Sequence, residues 1–159
     1  MKMAATELQL QEGAQTVLQG IEGLQPISVV VNDWSILDRP MVDAPFVLIV
    51  NADDFNSTQV TVTATTGYTL RLWLIVALAN ADWKAAYDEF RDYRQQIIDK
   101  FNEEGTNRSL GGLDGVNVTR IFSISDIGYI YPPNVDPDNQ PDTIPDYVAQ
   151  FIGLEIEQY

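Results

Sequence analysis

Near the start of the chain, Leu10, Ala14, Val17, Leu18, Ile21 and Leu24 recur at three- and four-residue steps. That spacing gathers them on one stripe of a helix, expected over residues 6–24. Thr6 is a suitable N-cap, and Glu7 suits the positive end of the helix. Gly13, Gly20 and Gly23 each weaken such a helix by up to ~1 kcal/mol relative to alanine, so its stability should depend on packing.

The pattern then changes to strands. ISVVVNDW (27–34) is β-branched, and Pro40 and Pro45 break the loop that follows it. FVLIVNAD (46–53) is a short continuous apolar run, the mark of a strand buried on both faces. QVTVTATT (59–66) alternates, Gly67 interrupts, and YTLRLWLIVALA (68–79) resumes, which predicts a hairpin turning around Thr65–Tyr68.

A second helix is expected over 82–104, between Asp82 as N-cap and Gly105 as stop. Trp83, Ala86, Tyr87, Phe90, Arg94, Ile97, Ile98 and Phe101 share one face of it, with Asp88, Glu89, Asp92, Gln95 and Asp99 pointing away. A glycine-rich loop leads to VNVTRIFSISDIGYIY (116–131), expected as one long strand bulged at Gly128. YVAQFIGLEIEQY (147–159) alternates again, with Gly153 allowing its alternation to shift. Helix, four strands, helix and two strands make an α+β domain. Its mainly antiparallel sheet of about six strands carries two main helices, all within one domain spanning 1–159.

Between the last two strands lies YPPNVDPDNQPDTIPDY (131–147), which holds five of the chain's eight prolines, four aspartates and no lysine or arginine. Alternating acids suggest a calcium loop, but an EF-hand needs glycine at position six and glutamate at twelve. Those positions hold Pro141 and Tyr147. The segment is no domain linker either, because the lone strand beyond it must return to the sheet. Prolines keep such a segment extended and reduce the entropy lost on docking. It is therefore expected to be an arm, residues 132–146, that contacts a neighbouring protein. The candidate interface residues are Tyr131, Pro132, Pro133, Val135, Asp136, Asp138, Asp142, Ile144 and Tyr147.

Composition narrows the chemistry. The chain has no cysteine and no histidine, which removes disulfides, thiolate catalysis, histidine triads and the commonest metal ligands. LGGLDG (110–115) lacks the spacing of a phosphate loop and precedes a strand. Asp53-Asp54 and Glu103-Glu104 are the carboxylate pairs left for glycoside-type hydrolysis, and adjacent acids in turns are ordinarily solvated. No catalytic, cofactor-binding or metal-ligating residue is expected, and no cofactor. N-x-S/T matches at Asn56, Asn107 and Asn117 are read as chance, since the start of the chain has no apolar run of a secretory signal. The most apolar stretch, 68–81, carries Arg71 and is shorter than a membrane span.

With 23 acids against nine bases, the net charge is −14. Binding duplex DNA requires clustered Lys and Arg, so a stable DNA-binding face is not expected. An acidic surface that repels or imitates DNA fits the charge, as does solubility alone.

The layout resembles siphophage tail terminator proteins. The leading amphipathic helix, ISVVVNDW, the proline-bearing loop and PFVLIV are similar to the N-terminal half of that family. LANADWKAAYDEFRDYRQQIIDKF is similar to its strand running into an acidic-capped helix, and RIFSISDIGYIY with YVAQFIGLEIEQY to its closing strand pair. The resemblance implies a structural, non-enzymatic virion protein of the tail or neck, assembled in the host cytoplasm. It implies a homo-oligomeric ring, typically a hexamer, that caps the tail tube and joins it to the head–tail connector. Its partners would be copies of itself, the tail-tube protein and connector proteins, with DNA passing through unbound and no membrane involved. Three alternatives remain open: another neck or tail-completion protein, an acidic DNA-mimic inhibitor, and a carboxylate-based hydrolase.

Overall fold

The computed structural model describes residues 5–22, 24, 29–33, 45–49, 56–59, 66–78, 82–103, 105–123, 125–132, 138 and 144–158; for 56–59 and 66–68 it describes the backbone alone. Two helices lie against one face of a seven-stranded, mostly antiparallel sheet, as the α+β pattern predicts.

Helix α1 (Glu7–Gln19) opens on a capping box. The Gln9 amide N–H donates to Thr6 Oγ1 at 3.2 Å, and the Thr6 N–H donates to Gln9 Oε1 at 2.8 Å, so two otherwise orphaned donors are satisfied. The helix stops sooner than expected. Gly20 and Ile21 donate to the carbonyls three residues back, Val17 and Leu18, and the chain continues in turns. Ile21 and Leu24 are buried all the same, because those turns keep the stripe facing the core.

Strand β1 (Val29–Val31) pairs parallel to β2 (Phe46–Ile49). As expected, β2 is buried on both faces: Val47 and Ile49 join the core under the helices, and Phe46 and Leu48 a smaller core on the opposite face. The hairpin differs from expectation. β3 (Asn56–Gln59) pairs with β4 (Thr66–Ala77), with Thr58 opposite Gly67 and Gln59 opposite Thr66. The expected turn at Thr65–Tyr68 is therefore already strand from Thr66 onward. The alternating run 60–65 lies outside the described residues. Glycine lacks a side chain to pack and reads as a breaker, but ladder pairing on both sides holds Gly67 extended.

Helix α2 (Trp83–Asn102) starts where predicted, with Asp82 accepting from the Ala85 N–H at 3.0 Å. Ala86, Phe90, Ile97 and Phe101 are buried, and covering each phenylalanine contributes about 1.5–3 kcal/mol before entropy is deducted. Trp83, expected on this face, is instead 38% exposed. It sits in the first turn, beyond the reach of the core. A short 3-10 turn (Asn107–Ser109) follows, and Leu110, with φ 52°, is fixed in the left-handed region while its side chain is buried.

The expected long strand 116–131 is two strands, which accounts for a seventh. β5 (Val116–Ser123) is bulged between Val118 and Arg120, and β6 (Gly128–Ile130) resumes the ladder. Both pair with β7 (Tyr147–Gln158), whose other edge pairs with β4 from Ala77↔Tyr147 to Thr66↔Gln158. β7 thus lies in the middle of the sheet, between β4 and β5.

Where β5 and β6 part, side chains replace the missing ladder. The Phe151 N–H donates to Ser125 Oγ at 3.1 Å. The buried Gln150 amide donates to the Ser125 carbonyl at 2.8 Å and accepts from Arg94 Nη1 at 3.2 Å. These bonds stand in for ladder hydrogen bonds at the break. At the other side of the sheet, Gln11 and Asn32 exchange reciprocal amide hydrogen bonds of 3.1 Å, and Gln15 donates to the Val29 carbonyl at 2.9 Å. These bonds fasten α1 to β1.

Candidate functional site

The segment predicted as an arm leaves and rejoins the sheet at adjacent strands. Ile130 faces Tyr147 in the last rung of the β6–β7 ladder. Beyond it the Asp146 N–H donates to the Ile130 carbonyl at 2.8 Å, and the Asp146 carbonyl accepts from the Leu78 N–H at 2.9 Å. The base is therefore clamped to two neighbours at once, by backbone bonds that do not depend on side-chain identity.

Of the candidate interface residues, Tyr131 and Pro132 are half-buried at this base, Asp138 is exposed, and Ile144 is 56% exposed. Pro133, Val135, Asp136 and Asp142 lie outside the described residues. Tyr147 is a correction. It is only 5% exposed, packed against Phe46 with ring centroids 6.3 Å apart in the core of the sheet's second face. Its alternation in β7 makes it an anchor of the arm, not a contact surface.

Sequence reasoning missed the aromatic residues beside the arm. Trp83 stacks on Tyr87 at 6.2 Å and meets Tyr129 edge-on at 5.6 Å, and the Tyr87 and Tyr129 hydroxyls share a hydrogen bond of 2.6 Å. Tyr129 is 43% exposed. On the second sheet face, Trp73 and Phe151 stack with centroids 5.2 Å and planes 8° apart. The signal was present in β4: even positions 70–76 are Leu, Leu, Leu and Val, whereas odd positions 69–73 are Thr, Arg and Trp. Period-two alternation places that second set on a different, less apolar face.

The tyrosine pair has a measurable consequence. Its hydrogen bond to Tyr129, and then burial, raise the Tyr87 pKa above the ordinary tyrosine value; burial, then the Glu89 and Asp92 carboxylates, raise that of Tyr93. Folding here favours the neutral phenol. The associated stability is complete below about pH 10, the unfolded value, and is lost as pH rises through the folded ones. In an alkaline absorbance titration these two phenols should ionise after the ordinary ones, and Tyr129→Phe should return Tyr87 towards them. An unchanged profile in Tyr129→Phe would show that the bond does not form in solution.

The carboxylates do not assemble comparably. Asp53 and Asp54 lie outside the described residues, as does Glu104. Glu103 is exposed, 3.5 Å from Lys100 Nζ and accepting from Asn107 Nδ2 at 3.0 Å. A hollow of about 330 Å³ between the end of α1 and the last turns of α2 is bordered by Glu22, Asp99, Lys100 and Glu103. Among the described residues no group of three acids, histidines or cysteines could hold a metal ion. No helix among them is long and apolar enough to cross a membrane.

Compared with models of known protein families and with curated proteins, the chain matches none.

Proposed function

We propose that the protein is a ring-forming structural component of a virion, a tail terminator that caps the tail tube and joins it to the head–tail connector. The observation that carries this reading is the clamped arm. A proline- and aspartate-rich excursion, held by backbone bonds of 2.8 and 2.9 Å and bearing an exposed Ile144, is suited to reach a neighbour while its scaffold stays rigid. Outer strand β5 supports it further. Among the described residues nothing pairs with the far side of β5, and its bulge and exposed Arg120 are devices that restrain indiscriminate edge pairing. Rings are built from such heterologous contacts, one patch on each copy meeting a different patch on the next.

Charge fits a conduit. At −14 per copy, a ring repels phosphate and lets DNA pass without holding it. Light scattering over a concentration series, alone and with tail-tube protein, tests the proposal. Discrete assemblies, with hexamers foremost, are expected, and negative-stain images should show rings. A strictly monomeric protein under both conditions overturns the proposal.

A further inference from the structure

On the sheet face opposite the helices, a cleft of about 230 Å³ runs along β7. Two small residues create it. Gly128 and Ala149 face each other in the β6–β7 ladder, with the Trp73–Phe151 rung on one side of them and Ile130 on the other. A Cβ at Gly128 would meet nothing closer than the Ala149 carbonyl oxygen at 3.9 Å, so the space is open. Pockets for whole small molecules run to about 300–1,000 Å³, and this one suits a single side chain better. Among the described residues Asp126 is the one charged side chain that borders it. Asp126 is exposed and forms no ion pair with any of them.

We infer that this cleft receives an arginine side chain of a different, basic protein. Arginine matches both things the cleft offers. Its planar guanidinium stacks on aromatic rings, and its N–H donors pair with a carboxylate. Trp73 and Phe151 are half-buried and parallel to within 8°, which leaves ring surface for such a guest. The same sheet face already shows the contact, with the Arg120 guanidinium carbon 4.3 Å from the centre of the Phe122 ring.

Neighbouring charges do not oppose a cation. By alternation Arg71, Arg120, Glu155 and Glu157 share this face, and Arg120 is held by Glu155 at 3.3 Å. A net charge of −14 draws basic partners to the surface. A second copy is a poor source of the guest, because its described arginines are already engaged within their own chain. Arg91 lies near Asp88, Arg94 donates to Gln150, Arg108 to Asn102, Arg120 pairs with Glu155, and Arg71 is also in contact. The inference does not depend on the assembly reading above.

The test is a titration of the full-length, isotope-labelled protein with N-acetyl-arginine amide, followed by NMR. The Trp73 indole signal and the Asp126 and Gly128 amide signals should shift and saturate. N-acetyl-citrulline amide, of similar shape but uncharged, should move them little. Gly128→Leu fills the cleft from an outer strand and should abolish the response at Trp73 and Asp126. Asp126→Asn, at an exposed position, should weaken binding by about twofold to fivefold. No saturation, equal responses to the two probes, or wild-type binding by Gly128→Leu overturns the inference. Should Gly128→Leu fail to fold, unchanged affinity in Asp126→Asn overturns it instead. Light scattering separates the sources of the guest. If Gly128→Leu folds but loses a self-association that the wild-type protein shows, the occupant is a second copy and the inference falls.

Discussion

Replacing residues 133–144 with a short Asn-Gly turn yields a protein that folds like the parent and no longer assembles. The backbone clamp survives, because Ile130, Asp146 and Leu78 are all retained. No buried side chain among the described residues is removed, since Tyr147 and Phe46 remain in contact. Shortening the connection to roughly a third of its length recovers about 0.9 kcal/mol of closure entropy, so the melting temperature holds or rises slightly. If the proposed assembly is built through the arm, the scattering mass falls to that of one chain. Unchanged assembly in this variant would reduce the segment to ornament.

The second large effect concerns Gly13. From propensity alone, Gly13→Ala inside α1 should stabilise the helix by up to ~1 kcal/mol. The tertiary structure reverses the sign. A Cβ on Gly13 would sit 2.6 Å from the Leu110 carbonyl oxygen and 2.8 Å from Leu110 Cβ. The backbone there cannot easily retreat. Leu110 is buried in a left-handed conformation, and the turn around it is tied by the Gly111 N–H to Thr106 carbonyl bond of 2.9 Å and the Leu113 N–H to Ser109 carbonyl bond of 2.8 Å. Overpacking of this kind costs about 1–3 kcal/mol, so urea denaturation of Gly13→Ala should show a net loss. Gly20→Ala supplies the contrast. Its Cβ meets the flexible end of Lys100 and the Val17 carbonyl oxygen, each at 3.2 Å, in a helical conformation that alanine adopts freely, and stability should change little. Equal effects at the two sites would show that α1 and the 110–113 turn are not in close contact.

Those glycines show what a sequence can and cannot disclose. Helix α2 was legible because one apolar stripe, an aspartate cap and a distant glycine agree on a single period. The double-sided burial of β2 was legible for the same reason: four consecutive apolar residues have no polar face to expose. Gly13 looked like a weakness, since the neighbour that requires it, Leu110, is ninety-seven positions away (110 − 13) and invisible to local pattern. The division of 116–131 was equally hidden. It depends on Ser125 supplying a carbonyl to the Gln150 amide and a hydroxyl to the Phe151 N–H, a replacement of ladder bonds that leaves no periodic trace. At the candidate site, the arm was legible from proline and aspartate content. The cleft was not, because Trp73 and Phe151 lie on different strands and come together only through the register of β4 against β7.

That register has a kinetic corollary. Among the described residues, the two halves of the sheet share no ladder except through β7, which follows the other described elements in sequence. While the chain is being synthesised, twelve residues of β4 must wait, one edge bare, for a partner some eighty positions downstream. Pairings that distant in sequence close slowly relative to local ones. In that interval the bare edge is the site at which a nascent copy is most exposed to pairing with the wrong chain.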